Sequence, residues 1–521
     1  AGVPTVQPPQ AALDISLDGG EAQLSIDGRP WQGLDWYRSL VPLGEFAQAD
    51  REIELGIEAF VINFPYDERR HDQRDFHRFA RARLVKLDHE LEAFLFDARY
   101  VLDAYLSYWQ SDRDLEIEGF LLHHLEQACR AIGPRIATRE QARQAAARAR
   151  AILRDAVFES SAYRRAGRIS TCAHSHLDII YLWPIKETFR KNCRTMTNML
   201  SLMREYPHYR FSYSQPYLYE KLKEMYPAVY AEIRQRVREK RWEVIGAMYV
   251  EPDGNLLGPE SLVRQLLFGK RFILEEFGQD AETCWLVDVF GVMYTLPQIL
   301  RKCGVKYFVT AKLNIWNDTN VFPYDTFRWQ GPDGSQVIAH FPPTHFAQDF
   351  TFGNLQRHWR DYREKQTAGE NLFIYGWGDG GGGPTREMVE ASVRSRSFPG
   401  LPRTETAFAE EFFRRLDDKA DQLPVWDDEL YLEAHRGTYT TKGELKRLNR
   451  KVELLYRDAE ILSSLAWLYG GPRVQERLNE GWKLILLHQF HDTLPGTHRP
   501  EGVPDIKRDY DTAFAIGTEV R

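Results

Sequence analysis

Four groups of polar side chains stand where apolar segments end. The first is Ala173-His174-Ser175-His176-Leu177-Asp178, directly after the apolar run 169–173. If the extended backbone continues, His176 and Asp178, two apart, share a face. An imidazole and a carboxylate on one face suit a zinc ion. Taken alone, the pair reads equally well as two hydrogen-bonding residues at a strand end. The second group is Cys284-Trp285-Leu286-Val287-Asp288-Val289-Phe290-Gly291. Here a carboxylate closes an apolar strand and a glycine permits a tight turn. In a parallel sheet a catalytic acid sits at such a point, although a cap for a helix near Thr295 uses the same residue type. The third is His488-Gln489-Phe490-His491-Asp492, followed by Thr493-Leu494-Pro495-Gly496. A lone core histidine is usually structural, but a His-Asp pair at a helix end, with a second histidine one turn earlier, favours a ligand. The fourth runs from Tyr375 through Gly376-Trp377-Gly378-Asp379 and Gly380-Gly381-Gly382-Gly383 to Pro384-Thr385. No Gly-Lys-Ser/Thr follows the glycines, which argues against a phosphate cradle. The better reading is a backbone that approaches something closely. Asp379 and Trp377 then offer the only chemistry and stacking.

These groups need a scaffold of short strands. Between about residues 167 and 399, apolar runs at 169–173, 242–247, 283–289, 306–311, 337–341 and 372–377 alternate with amphipathic stretches near 187–205, 259–277 and 295–303. Such alternation predicts an α/β unit with a mostly parallel sheet, able to close as a barrel. Active residues in that architecture lie at the C-terminal strand ends. From about Lys442 the pattern turns helical. Leu445, Leu448, Val452, Leu455, Ala459, Leu462, Ala466 and Tyr469 form one stripe. Gly470-Gly471-Pro472 stops it, and a second helix over about 474–490 predicts a helical bundle. The last twenty residues are polar and suit either a loop or a further helix. Upstream, the pattern is strand-like from Leu13 to about Asn63, as in 22–26 and 59–63, with turns at Gly19-Gly20 and Asp27-Gly28. Helix signals rise from about 75 to 165, most clearly over 139–156. The first ten residues, with three prolines, predict a flexible tail. The expected organisation is a small β-containing domain with a helical connector over 1–165, an α/β catalytic domain over 166–400 and a helical bundle over 401–521.

The chain has 521 residues, 43% of them hydrophobic and 27% charged, which is ordinary for a globular protein and unlike disorder or a rod. Its length corresponds to roughly three to four domains. A net charge of -7 and a pI of about 6.2 argue against a nucleic-acid partner. No apolar run approaches the roughly 18 residues of a membrane helix, and the first residues lack the pattern of a secretory signal. Five scattered cysteines without a C-x-x-C indicate neither a disulfide framework nor a cysteine zinc site. They favour a reducing compartment, the cytoplasm.

Seven segments in order carry a resemblance to a known family. They are His174-Ser175-His176-Leu177-Asp178-Ile179-Ile180-Tyr181-Leu182-Trp183-Pro184, Val250-Glu251-Pro252-Asp253-Gly254-Asn255, Asp288-Val289-Phe290-Gly291, Trp316-Asn317-Asp318-Thr319-Asn320, the glycine loop around Asp379, Tyr431 to Thr441, and His491-Asp492-Thr493-Leu494-Pro495-Gly496. Over about residues 168–510 the chain resembles glycoside hydrolase family 38, the retaining α-mannosidases, in the branch of bacterial and cytosolic or vacuolar enzymes. The resemblance implies a seven-stranded β/α barrel followed by a helical bundle. It implies one zinc ion held by His176, Asp178, Asp288 and His491. Asp288 would also be the nucleophile, and Asp379 corresponds to the general acid/base region, where the family carries a Gly-Asp-Asp-type segment and this chain a single aspartate. Tyr181, Trp183, Phe290, His435 and Asp492 correspond to sugar-contacting positions. Tyr181 stands where the family usually has tryptophan. Family members continue for several hundred residues of β-sandwich, so C-terminal β domains are expected from a longer chain or a partner chain. Their absence predicts an exposed apolar patch. A homo-oligomer is compatible with the resemblance.

The implied chemistry is coherent. A retaining glycosidase needs two carboxyl groups about 5–5.5 Å apart, one attacking the anomeric carbon and one protonating the leaving oxygen. A zinc ion beside Asp288 would keep it ionised. Asp379, with no cation near it in sequence, suits the protonated partner. Glu251, Asp253 and Asp318 are rival carboxylates, more often loop and cap acceptors. The substrate is then a mannose-containing oligosaccharide. Alternatives are a metal-dependent polysaccharide deacetylase, in which the metal activates water, and a mannose-binding fragment without turnover.

Overall fold

Alternating apolar residues near the N-terminus build two small antiparallel sheets. In one, β1 (Ala11–Asp18) lies between β4 (Leu40–Pro42) and β6 (Arg78–Lys86). In the other, β2 (Glu21–Ile26) lies between β3 (Arg29–Leu34) and β5 (Leu55–Phe60). Asp27 and Gly28, both at positive φ, make the β2–β3 turn, as an Asp-Gly pair should. The computed structural model describes residues 11–18, 20–48, 50–60, 78–111 and 113–521. The expected tail at 1–10, Gly19 of the expected turn and the end of the expected strand at 61–63 lie outside them. Leu13, Ile15, Leu24, Trp31 and Val41 close a core of their own. β6 falls in the stretch where the sequence predicts rising helix signals; its side chains are mostly exposed, so no buried alternating face marks it as a strand.

Helices His89–Gln110, Leu115–Ile132 and Arg139–Leu153 follow. Asp114 and Thr138 accept amide hydrogen bonds at the starts of the second and third. Their buried faces, through Tyr100, Ala104, Tyr108, Leu121 and Leu153, join the main core of the chain rather than that of the N-terminal strands. The helical connector is thus packed as part of the α/β half.

That half is a mixed α/β unit. β7 (Arg168–Ala173) pairs in parallel with β14 (Glu370–Tyr375) on one side and with β15 (Arg403–Thr406) on the other. Beyond β15, a parallel bridge from His174 to Ser212 links β7 to β8 (Phe211–Tyr213), which pairs with β9 (Trp242–Val244). The Ala247 amide donates to Thr283 O at 3.1 Å, leading to β10 (Thr283–Trp285). β10 then pairs with β11 (Tyr307–Val309), and β11 with β13 (Gln336–His340). The result is three parallel ladders, β14-β7, β8-β9 and β10-β11-β13, joined in that order by the His174–Ser212 bridge and the Ala247–Thr283 hydrogen bond. Among the described residues no ladder joins β13 to β14. An antiparallel strand, β12 (Thr326–Gln330), and the short β16 (Val425–Trp426) extend the β13 edge. Pairing of β15 and β16 carries the sheets past residue 400, where the sequence pattern alone sets the boundary. The strands are shorter than their apolar runs. Residues 245–247 and 286–289 leave the ladder, because the chain turns there to aim loop side chains inward. β8, β12 and β15 are too short or too polar to stand out in sequence.

The bundle comprises Gly443–Leu468, Gln475–Leu487 and Val503–Val520, so the C-terminal residues form a helix. Buried Glu453 accepts from the Gly258 amide at 3.0 Å, the Ser261 hydroxyl at 2.7 Å and the Asn449 and Gln489 amides at 3.2 Å. This network ties the bundle to the helix Pro259–Phe277 beside the sheet. Leu445, Val452 and Ala459 of the expected stripe are buried, but its last members are not: Leu462 and Ala466 are exposed and Tyr469 is 90% exposed. The apolar period continues there without a neighbour to cover it. No helix among the described residues is long and apolar enough to cross a membrane.

Candidate active site

The loops leaving the strand ends converge on one centre. β7 is buried through Ile169–Ala173, and its continuation is held by the His174 amide on Tyr375 O at 2.9 Å. His174 faces Ser212 O and the Trp285 indole. Burial lowers its pKa to about 4, so it is a neutral structural histidine. Two residues on, His176 and Asp178 point together, with Nε2 2.9 Å from Oδ1. Asp288 arrives from the turn after β10, and His491 from the turn after the helix Gln475–Leu487. His176, Asp178, Asp288 and His491 are all buried, and one ligand atom from each lies within 4.8 Å of the others.

The donor set fits a divalent cation. His491 Nδ1 faces Glu251 O at 2.9 Å, which fixes the ring and turns Nε2 toward Asp178 at 3.4 Å and Asp288 at 3.5 Å. That buried Nε2 has no hydrogen-bond partner, an expensive arrangement unless something else satisfies it. His176 Nδ1 faces Glu251 Oε1 at 3.4 Å, and the same oxygen takes the Ser214 hydroxyl at 2.7 Å. A carboxylate behind a ligating imidazole is a recurrent device for orienting the ring. Two imidazoles and two carboxylates match zinc chemistry and also other divalent ions. The electrostatics agree. Burial opposes charge on His491, yet Asp178, Asp288 and Asp492 raise its pKa to about 10. The cavity favours positive charge, and a cation supplies it without protons on the ligands.

Asp288 has a second cationic neighbour. Lys312 Nζ donates to its Oδ2 at 2.9 Å and lies 4.4 Å from the Phe290 ring centre. Burial would raise the Asp288 pKa, but Lys312 and then His491 and His176 hold it well below the usual carboxylate range. Sequence reading missed Lys312. The only available signal was its place just beyond the end of β11. It also left Glu251 as a generic loop acceptor rather than the group behind His176.

Asp379 sits at the tip of the glycine loop, open to solvent and at φ 56°. Its backbone carbonyl accepts from the Asp178 amide at 2.8 Å, which brings the loop to the ligands. Crowding by the loop, then the charges of Asp178 and Asp288, raise its carboxyl to about 6. Asp492 is buried beside His491, and burial followed by Asp178 raises it to about 8. Asp253 caps its own loop through the Asn255 and Leu256 amides, and Asp318 is exposed.

The aromatic candidates divide. Phe290 is buried between Lys312, His435 and His491, its ring 4.7 Å from His435. Tyr181 and His435 remain partly open. Trp183 does not offer a free face. It is 5% exposed, its indole donates to Asp178 O at 3.2 Å, and Lys191 Nζ lies 4.4 Å from its ring centre. It braces the ligand loop from behind.

The glycine loop is close-fitted. Gly376 has φ 124°, and a Cβ there would lie 2.2 Å from His174 O and 2.6 Å from Pro384 Cδ. Gly376→Ala is therefore expected to destabilise the fold by about 2 kcal/mol or more, read as a lower denaturation midpoint with an unchanged m-value. A midpoint like that of the parent would remove the close-approach argument.

Residues 166–429 match the family profile described as glycosyl hydrolases family 38 N-terminal domain, and residues 433–521 match the alpha mannosidase middle domain. The human alpha-mannosidase 2C1 is 40% identical over 336 residues, covering 63% of this chain and 32% of that protein. A Saccharomyces cerevisiae alpha-mannosidase is 35% identical over 367 residues, covering 67% of this chain and 34% of that protein. The chain thus spans about a third of the length of these relatives. The crystal structure of an alpha-mannosidase from Enterococcus faecalis V583 shares the fold, with a TM-score of 0.62 at 18% identity over 68% of this chain and 42% of that one. The first profile alone spans half of the chain and contains three of the four clustered residues, His176, Asp178 and Asp288, while the fourth, His491, falls in the second. The chain belongs to glycosyl hydrolase family 38.

Proposed function

We propose that this chain carries the catalytic site of a zinc-dependent retaining α-mannosidase, which removes terminal α-mannosyl residues from oligosaccharides through a covalent mannosyl-enzyme intermediate. One observation supports this above the others: an ionised carboxylate, Asp288, shares a four-donor centre with His176, Asp178 and His491, while a second carboxyl, Asp379, stands at the mouth with a raised pKa. The human and yeast relatives, both named alpha-mannosidases, point the same way. Bound zinc would act as a Lewis acid and template for sugar hydroxyls beside the anomeric carbon. Asp288, held anionic by Lys312, attacks the anomeric carbon and forms a mannosyl ester as the glycosidic bond breaks. Asp379 gives its proton to the leaving oxygen, then takes one from the water that hydrolyses the ester. Phe290, His435, Tyr181 and Asp492 line the space around these groups. We also read the three linked ladders as a seven-stranded β/α barrel. The His340 ring at the end of β13 stands against the Leu372 backbone in β14, as closure requires. The five free cysteines suit a reducing compartment such as the cytoplasm.

Hydrolysis of an aryl α-mannoside with and without chelator tests the reading. Chelator-sensitive release of mannose supports it. Acetate release from an acetylated glycan, with no mannose release, would replace it with a deacetylase. Asp379→Asn separates the two carboxyl roles. Mannosides with a poor leaving group should slow by about 10³-fold, whereas one with an activated phenol should lose far less in the first step. Equal losses on both would remove Asp379 as the acid.

A further inference from the structure

The N-terminal unit lies outside both matched profiles, which begin at residue 166. It nevertheless reaches the glycine loop. After β3 the chain makes a tight turn at 35–38. The Arg38 amide donates to Asp35 O, the Tyr37 amide donates to Asp35 Oδ1 at 2.8 Å, and Arg38 Nη1 pairs with Asp35 Oδ2 at 2.5 Å. The turn projects the Arg38 side chain, 8% exposed, under the loop that carries Asp379. There Arg38 Nη2 donates to the carbonyls of Gly382, Gly383 and Pro384 at 2.6, 2.5 and 2.9 Å. Next to it, Tyr37 stacks on Trp377 with ring centres 4.8 Å apart.

Three carbonyl dipoles aimed at one point repel one another unless a cation sits there. The glycines at 382 and 383, with φ of 103° and 67°, allow that convergence, and a buried guanidinium stabilises it. The rest of the loop is anchored from the opposite side. Gly383 and Trp377 exchange backbone hydrogen bonds, the Gly382 amide donates to Thr195 Oγ1 at 2.9 Å, and the Ser175 hydroxyl donates to Trp377 O. Asp379 is therefore clamped between the ligand-bearing strand end and the N-terminal unit.

We propose that Arg38 is a positioning residue for the proposed reaction, holding the Asp379 loop in place from a unit outside the family-matched domains. This rests on the reading of Asp379 as acid/base. Arg38 touches no reacting atom and acts through the loop. Its loss should resemble a weakened acid rather than a lost metal centre or a weakened sugar site.

The test uses the full chain with Arg38→Ala and Arg38→Lys. On wild type, Arg38→Ala should lower kcat at least 10-fold for an α-mannoside with a poor leaving group, with KM within about twofold, and less than threefold for one with an activated phenol. Bound zinc should stay at the wild-type ratio, and Arg38→Lys should recover part of the loss. Amide hydrogen exchange supplies a readout independent of activity. Exchange at Gly380, Gly382 and Gly383 should accelerate at least 10-fold in Arg38→Ala while the strands keep their protection. Unchanged exchange in the loop overturns the proposal, as do equal losses on both substrates. If wild type hydrolyses no α-mannoside, the functional reading fails, and exchange alone decides whether Arg38 holds the loop. Should Arg38→Ala not fold, the same readouts are taken on Arg38→Met, which keeps the side-chain length without the charge, where wild-type exchange and kinetics together overturn the proposal.

Discussion

Substituting Asp288 by asparagine is expected to lower kcat/KM on an aryl α-mannoside by about 10⁴-fold or more, near 5.5 kcal/mol of transition-state stabilisation. The side chain has two tasks. It offers one of four clustered ligand atoms, and it is the carboxylate that Lys312 keeps ionised at 2.9 Å. An amide keeps the shape and a weak donor oxygen, but it cannot attack the anomeric carbon. It also leaves a buried ammonium without its counter-charge, which costs stability. Three measurements separate these effects. Metal content should fall less than activity, because three ligands remain. The melting temperature should drop by a few degrees. A slowly turned-over fluorinated α-mannosyl fluoride should label the parent on the peptide containing Asp288 and should not label the variant. Label on another carboxylate would overturn the nucleophile assignment, whatever the loss of rate.

Removing the metal is expected to have a comparable effect. Dialysis against a chelator should reduce turnover by at least about 10³-fold, and added zinc should restore it. His491→Ala should reproduce the loss without rescue at micromolar zinc. The reasoning starts from the buried His491 Nε2, which faces two carboxylates and has no hydrogen-bond partner. A ligand present at 100 times its dissociation constant stabilises the folded state by about 2.7 kcal/mol, so the apo protein should melt several degrees lower. A chelated protein with the same melting temperature and activity as the parent would mean that the cluster works as a protonated network instead.

Much of this site can be read along the chain because its donors occupy positions with a local logic. His176 and Asp178 are two apart on extended backbone, and that spacing alone brings them to one side. Asp288 and the glycines around Asp379 follow apolar runs, which signal strand ends whatever the strands pair with. The long helix Gly443–Leu468 is legible in its stripe to its end, but the stripe is exposed from Leu462 on. Beyond that, periodicity reports an apolar face without reporting whether anything covers it. Trp183 shows the same limit from the other side. The resemblance implies a sugar contact for it, but it is buried against Asp178 O and the Lys191 ammonium and braces the loop.

Residue types and their order along the chain pointed to the α/β scaffold and the helical bundle and made His176, Asp178, Asp288 and His491 candidates, while their grouping as one ligand set came from the family resemblance. Spacing within a strand or a helix sets direction, and local hydrogen bonding sets spacing. The tertiary structure decided what depends on distance between elements far apart in sequence. Lys312 reaches Asp288 because parallel pairing of β10 and β11 sets their ends side by side. His491 meets the strand ends because the Glu453 network docks the bundle against the helix Pro259–Phe277 beside the sheet. Arg38 clamps the Asp379 loop from a unit with its own core, more than 300 residues earlier. Such contacts are fixed by packing and by the need to neutralise buried charge. Neither leaves a periodic trace in the sequence of one chain.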